Sequence, residues 1–161
     1  MPEWIIALIS VAFGAGITAT LERYREWRRQ KRVELAIYAE LMENYCFSFN
    51  LLHGGIDYKA VADHQRIFEG GLTFDIAEYA KTQPDVFYAI PNSAAIRILY
   101  KTFWSLERIA GGGDSVRMLC QDCVTNFERF LEQGLLNQGL AVKMSPPRLR
   151  QHVEDLVKRR K

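Results

Sequence analysis

Cys120-Gln-Asp-Cys123 is the pairing whose residue types and spacing come nearest to chemistry. A C-x-x-C can supply half of a four-ligand metal site, or it can act as a dithiol couple. The first use needs a second C-x-x-C or an H-x-x-H, and the chain has neither. The second places the motif at a helix N-terminus behind a strand, where the dipole lowers the thiol pKa, whereas several residues of expected helix precede Cys120. The pair is therefore read as two small side chains on a buried helix face. His53, His64 and His152 are scattered, with no H-x-x-x-H spacing, so no metal site is expected. Gly111-Gly112-Gly113 before Asp114 resembles an anion-binding turn but lacks the Lys and Ser/Thr of a phosphate loop, and reads as an interhelical turn. Glu40 with Glu43, and Glu154 with Asp155, have the spacing of solvated helix faces and no nucleophile beside them. The sequence displays no catalytic set and calls for no cofactor; a non-enzymatic protein is expected.

Arg97, Tyr100, Lys101, Trp104 and Arg108 fall close to one helical stripe. Cations interleaved with aromatic rings can receive a small anion by charge and stacking, which makes Arg97, Lys101, Trp104 and Arg108 a weak candidate ligand site. The competing reading buries Tyr100 and Trp104 in the core and lets the cations reach outward over them.

These residues must be positioned by helices, because no stretch alternates apolar and polar residues strictly enough to demand a strand, although Leu72 to Phe74 suits extended chain. No Pro or Gly interrupts Ile17 to His53, and Tyr38, Leu41, Tyr45, Phe49 and Leu52 recur at helical steps. Glu34, Glu40, Glu43 and Asn44 mark the wetter face of this rod, which His53-Gly54-Gly55 ends. Asp57 to Glu69 and Phe74 to Lys81 read as short helices, and QPDVFYAIPN as a tight turn with one helical turn that buries Val86, Phe87 and Ile90. Asn92 or Ser93 caps a helix to about Ile109 with Ile96, Leu99, Tyr100, Phe103, Trp104 and Leu106 on its apolar face. Asp114 caps the next, lined by Val116, Leu119, Cys120, Cys123, Phe127, Phe130, Leu131 and Leu135, and the two should form a hairpin. A last basic helix starts at Ser145-Pro146-Pro147.

The amino-terminal run Trp4 to Leu21 carries no charge. At a rise of about 1.5 Å per residue it covers roughly 27 Å, near the thickness of a bilayer's hydrocarbon core. It lacks the basic start of a signal peptide. Arg23, Arg25, Arg28, Arg29, Lys31 and Arg32 follow it, a collar suited to lipid headgroups, and the positive-inside rule sets that flank in the cytoplasm. Within the run, Ser10, Gly14 and Thr18, and Ala12, Gly16 and Thr20, repeat every four residues, a spacing that lets helix backbones approach closely.

The 161 residues, 25% charged and 12% aromatic, with a net charge of +2, suit one folded domain and give no ground for nucleic-acid binding. Three cysteines, two of them three residues apart, suit a reducing compartment better than a disulfide framework. The organisation expected is an all-α chain: a transmembrane anchor at 1–21, a basic juxtamembrane helix at 22–34 and a cytoplasmic helical domain at 35–161. It is expected to be single-pass, with its N-terminus outside and its C-terminus cytoplasmic, in a bacterial inner membrane. The function expected is a tethered interaction module, meeting membrane lipids and either its own copies or a membrane-protein partner. The alternative is an oligomeric effector gated by a small anionic ligand such as a nucleotide, which perturbs the bilayer.

Overall fold

The computed structural model describes residues 3–54, 72–108 and 113–159, with side chains described for all of these except 3–9, 79–81 and 113–114. The expected helix at Asp57–Glu69 and the turn glycines Gly111 and Gly112 lie outside the described residues. The described chain is all-helical, without a strand among the described residues.

One helix, α1, runs from Glu3 to His53. Its second half is the axis of the body: Ile37, Tyr38, Leu41, Met42, Tyr45 and Leu51 are buried, the spacing that turns one face inward. After extended chain at Leu72–Phe74, α2 (Asp75–Thr82) and α3 (Pro84–Tyr88) pack on α1 and on each other. Next come α4 (Ser93–Glu107) and α5 (Gly113–Glu132), which pack together, as their short link requires. α5 makes the most extensive contact with α1, centred on Tyr45, whose ring stacks on Phe127 at 4.3 Å. α6 (Gln138–Met144) and α7 (Pro147–Lys158) close the opposite side.

Local chemistry sets the helix ends. Asn92 precedes α4 with φ 61, a left-handed conformation that Asn tolerates. It makes no side-chain cap; its carbonyl accepts from the Ala95 and Ile96 N–H groups. α5 stops because Gly134 takes φ 69. The Leu135 N–H then reaches the Phe130 carbonyl at 2.8 Å and the Gly134 N–H reaches Leu131, the two bonds of a Schellman ending. This leaves Leu135 exposed and buries Leu136, where helical spacing alone had carried the inward face on to Leu135.

Two further sequence expectations are overturned. Glu34, Glu40 and Asn44 are not on a wet face: they are buried, and only Glu43 of the four is exposed. They escape the cost of burial by serving chain that comes from elsewhere. Asn44 clasps Thr73 from both sides, its amide donating to the Thr73 carbonyl and its oxygen accepting the Thr73 N–H, both at 2.8 Å. Glu40 accepts the Ile76 N–H at 2.8 Å and the Ala77 N–H at 3.2 Å, so a side chain of α1 caps α2. Glu34 takes Lys31 at 2.8 Å and the Asn137 amide at 3.3 Å, while Asn137 caps α6 through Leu140.

The second correction is larger. The single-pass topology, with its anchor at 1–21 and its N-terminus outside, does not hold: among the described residues no helix is long and apolar enough to cross a membrane. The uncharged run of α1 ends at Leu21. Glu22, Arg23, Arg25 and Glu26 follow at once. The anchor that gave the basic collar its place among headgroups falls with this span.

Candidate functional site

Two features lie apart from the packed core: the first half of α1 and a cleft beside α4. From Ser10 to Arg29 every residue of α1 is exposed. The exposed set includes Val11 at 72%, Phe13 at 71%, and Ile17 and Leu21 at 50% each. Thr18 Oγ1 donates to the Gly14 carbonyl at 2.9 Å and Thr20 Oγ1 to the Gly16 carbonyl at 2.8 Å, so both hydroxyls turn back on their own helix and leave the face apolar. A Cβ built on Gly14 or Gly16 would meet nothing within 4 Å among the described residues. A shallow groove runs along this face between Ala12, Phe13, Gly16, Ile17, Thr20 and Leu21. Phe13, Gly16, Ile17 and Thr20 stand at i, i+3, i+4 and i+7, the four corners of a hole that a facing helix fills with a knob. Of the residues assigned by spacing, Ala12, Gly16 and Thr20 line this groove, while Ser10, Gly14 and Thr18 do not.

The basic collar continues the same helix. Tyr24 and Trp27 stack at 6.0 Å and the Arg28 guanidinium lies 5.7 Å from the centre of the Tyr24 ring, an intrahelical cation–π contact. Lys31 pairs with Glu34, and Arg29 donates to Gln83 just before α3. Arg23, Arg25 and Arg32 are exposed.

The cleft lies where α2, α3 and α4 meet. Ala77, Pro84, Phe87 and Tyr88 form one side, and Arg97, Tyr100, Lys101 and Trp104 the other, around a volume of about 330 Å³. The structure thus brings together Arg97, Lys101 and Trp104 of the candidate ligand site. Arg108 stands exposed at the end of α4, outside the cleft lining. Tyr100 is buried and Trp104 half-buried, while Arg97 and Lys101 are exposed, the placement in which the cations reach outward over the rings. The walls are braced by further rings. Phe74 lies 5.5 Å from Trp104 and 6.4 Å from Tyr100, and Phe87 meets Tyr88 edge-on at 5.9 Å. Arg97 Nη1 donates to Tyr88 Oη at 3.0 Å, tying the two sides across the mouth. Spacing along α4 found Arg97, Lys101 and Trp104 but not Tyr88 or Pro84. The only signal for those two was the aromatic pair enclosed between Pro84 and Pro91, which says nothing of the neighbour it will face.

Behind the cleft, the Tyr100 hydroxyl is wholly buried beside the Glu40 carboxylate. Burial first, and then the neighbouring Glu40 carboxylate, push its pKa well up, so it stays a neutral phenol. Burial likewise raises the Glu40 pKa above the ordinary carboxylate value, against the lowering effect of the bonds it accepts from Ile76 and Ala77.

The remaining polar groups serve packing. Tyr45 Oη donates to Glu128 Oε1 at 2.8 Å, and His152 Nε2 lies 2.9 Å from the same oxygen, joining α1, α5 and α7. Phe49 carries the His53 ring on one contact at 4.4 Å and the His152 ring on another at 5.2 Å. Cys120 and Cys123 are completely buried, and burial pushes each thiol up to about 12. An activated thiolate needs the opposite shift. Among the described residues no group of three His, Cys, Asp or Glu side chains is placed to hold a metal ion.

Comparison of the chain with family models, curated proteins and solved structures finds no match.

Proposed function

We propose that this chain is a non-enzymatic helical interaction module that self-associates through the first half of α1. The observation that carries the reading is the exposed apolar face of Phe13, Ile17 and Leu21 on a helix whose other half is the buried axis of the body. An apolar face left in water forgoes roughly 1.5–3 kcal/mol for each large side chain that burial would have gained. A contiguous patch of this kind marks a contact surface. The glycines add to the case. A mid-helix glycine costs about 0.5–1 kcal/mol relative to alanine, and no neighbour within the described chain requires the missing Cβ at Gly14 or Gly16.

A second copy suits this face because large side chains and the hole at Gly16 occur together on it. A two-fold pair sets the same patch against itself, so Phe13 of each chain can enter the groove of the other. The buried thiols at Cys120 and Cys123 support the non-enzymatic part of the reading, since the only dithiol spacing in the sequence is spent on packing.

Sedimentation equilibrium of the full chain tests the proposal. The expected result is a dimer or larger closed oligomer that Phe13→Ser with Ile17→Ser converts to a monomer of unchanged helicity. A monomeric wild-type chain overturns the reading, as does an assembly indifferent to that double substitution.

A further inference from the structure

We infer that the cleft between α3 and α4 is a binding site for a small planar ring carrying a carboxylate or phosphate. Three properties of the cleft lead there, none of them used by the association of α1. Its walls are aromatic: Phe87 and Tyr88 face Tyr100 and Trp104 across about 330 Å³, the room needed by one fused ring system with a short charged arm. Flat rings favour a flat occupant, by offset or edge-on stacking. Its rim is cationic: Arg97 and Lys101 stand four residues apart on α4, so both side chains leave the same helix face, and among the described residues neither is in an ion pair. Arg97 is already oriented by Tyr88 Oη, which occupies one of its N–H donors and leaves the others for an anion.

The third property is that the site is built before any ligand arrives. Tyr100 is 3% exposed, and Phe74 holds both Tyr100 and Trp104 from behind. α2, which brings Ala77 to the wall, is fixed at its first turn by Glu40. A preformed cavity spares the ligand the cost of ordering its walls. The division of labour is then plain: the rings select a planar apolar body, and the two cations select its negative end. A neutral ring has no use for Arg97 and Lys101, and an aliphatic anion has none for Trp104.

Two probes separate the chemistries of the negative end: indole-3-acetate for a ring carboxylate and adenosine monophosphate for a ring phosphate. The full chain has three tryptophans, Trp4, Trp27 and Trp104, so its tryptophan indole N–H resonances can be assigned by Trp104→Phe. The expected result is a saturable shift of the Trp104 resonance with one or both probes, with Trp4 and Trp27 unmoved. Affinity should fall by about tenfold in Arg97→Gln and again in Lys101→Gln, the loss of one charge-assisted hydrogen bond each. Both side chains are exposed, so these variants keep the fold, which circular dichroism verifies. The neutral analogues indole-3-ethanol and adenosine should bind at least about tenfold more weakly. The inference is overturned if neither probe shifts Trp104 saturably, if the neutral analogues bind as tightly as the anions, or if the two glutamine variants bind like wild type. The oligomeric state plays no part in this readout, so failure here and failure of the α1 association are distinguishable.

Discussion

The two halves of α1 share one unbroken backbone and have opposite surroundings. Between Ser10 and Arg29 the side chains are exposed, the apolar Val11, Phe13, Ile17 and Leu21 among them. From Glu34 to Leu51 one face of the helix is buried, and that face includes Glu34, Glu40, Asn44 and Ser48. Water therefore meets Phe13 and Ile17, while carboxylates and an amide sit inside. The contrast teaches that in this chain polarity does not sort residues by depth. Burial of a polar side chain is decided by whether another stretch of backbone arrives with unmet donors, and exposure of an apolar one by whether any element is left to cover it.

The sharpest break in this comparison comes from shortening one leucine or isoleucine in each half. Leu41 is fully buried, and Leu41→Ala should cost about 2–5 kcal/mol, the loss of transfer energy plus the cavity left behind. Ile17 is half exposed in the single chain, and Ile17→Ala should change the unfolding free energy of the dilute monomer by no more than about 0.5 kcal/mol. Urea unfolding followed by circular dichroism at low protein concentration reads both. Equal costs would mean that the first half of α1 is covered in solution even when dilute.

A smaller effect distinguishes the buried polar groups from a merely tolerated accident. Burial holds the Glu40 pKa above 4.5, with Asp75 and Tyr100 as the titratable neighbours facing it from α2 and α4. Because the folded state then binds the proton more tightly than the unfolded chain, the contribution of Glu40 to stability is fully present below about pH 4.5 and is lost as pH rises through the raised value. Glu40→Gln keeps a carbonyl oxygen to accept from Ile76 or Ala77 and removes the titration. Its stability should fall less than that of wild type as pH rises from about 4.5 to 7, as read by urea midpoints across that window. Parallel curves would mean that Glu40 stays hydrated and does not sense its burial.

Much of this arrangement was legible in the sequence where periodicity carries the signal. The buried faces of α4 and α5 follow their apolar spacing from Ile96 to Leu106 and from Val116 to Leu131. The burial of Cys120 and Cys123 follows from the same spacing. The errors have a common cause, which is that one sequence does not show what arrives from a distance. Glu40 and Asn44 read as solvated because nothing nearby in the chain needs them; their partners Thr73, Ile76 and Ala77 lie about thirty residues on. α6 was missed because Gln138–Met144 is short and its cap, Asn137, is itself held by Tyr38 and Glu34 of α1. The cleft was half legible: the cations of α4 share one helix, but the wall at Pro84, Phe87 and Tyr88 belongs to another element. The run before Leu21 was misread because an uncharged stretch was taken to require lipid, when absence of charge shows only that the face is apolar.

The smallest effect bears most directly on what covers that face. Gly16 sits in mid-helix with open space among the described residues where a Cβ would project, so Gly16→Ala carries no steric penalty within the described chain and should stabilise the isolated helix by about 0.5–1 kcal/mol. The same methyl group fills the floor of the groove between Phe13, Ile17 and Thr20. If a second copy inserts its Phe13 there, alanine must hold the two backbones apart and weaken the pair. The substitution should thus raise the unfolding midpoint of the dilute monomer while shifting the monomer–oligomer equilibrium toward monomer. Paired measurements of urea unfolding and sedimentation equilibrium on one variant read both signs. A gain in both stability and association would place the contact on another face of the helix, with Val11 as the next residue to substitute.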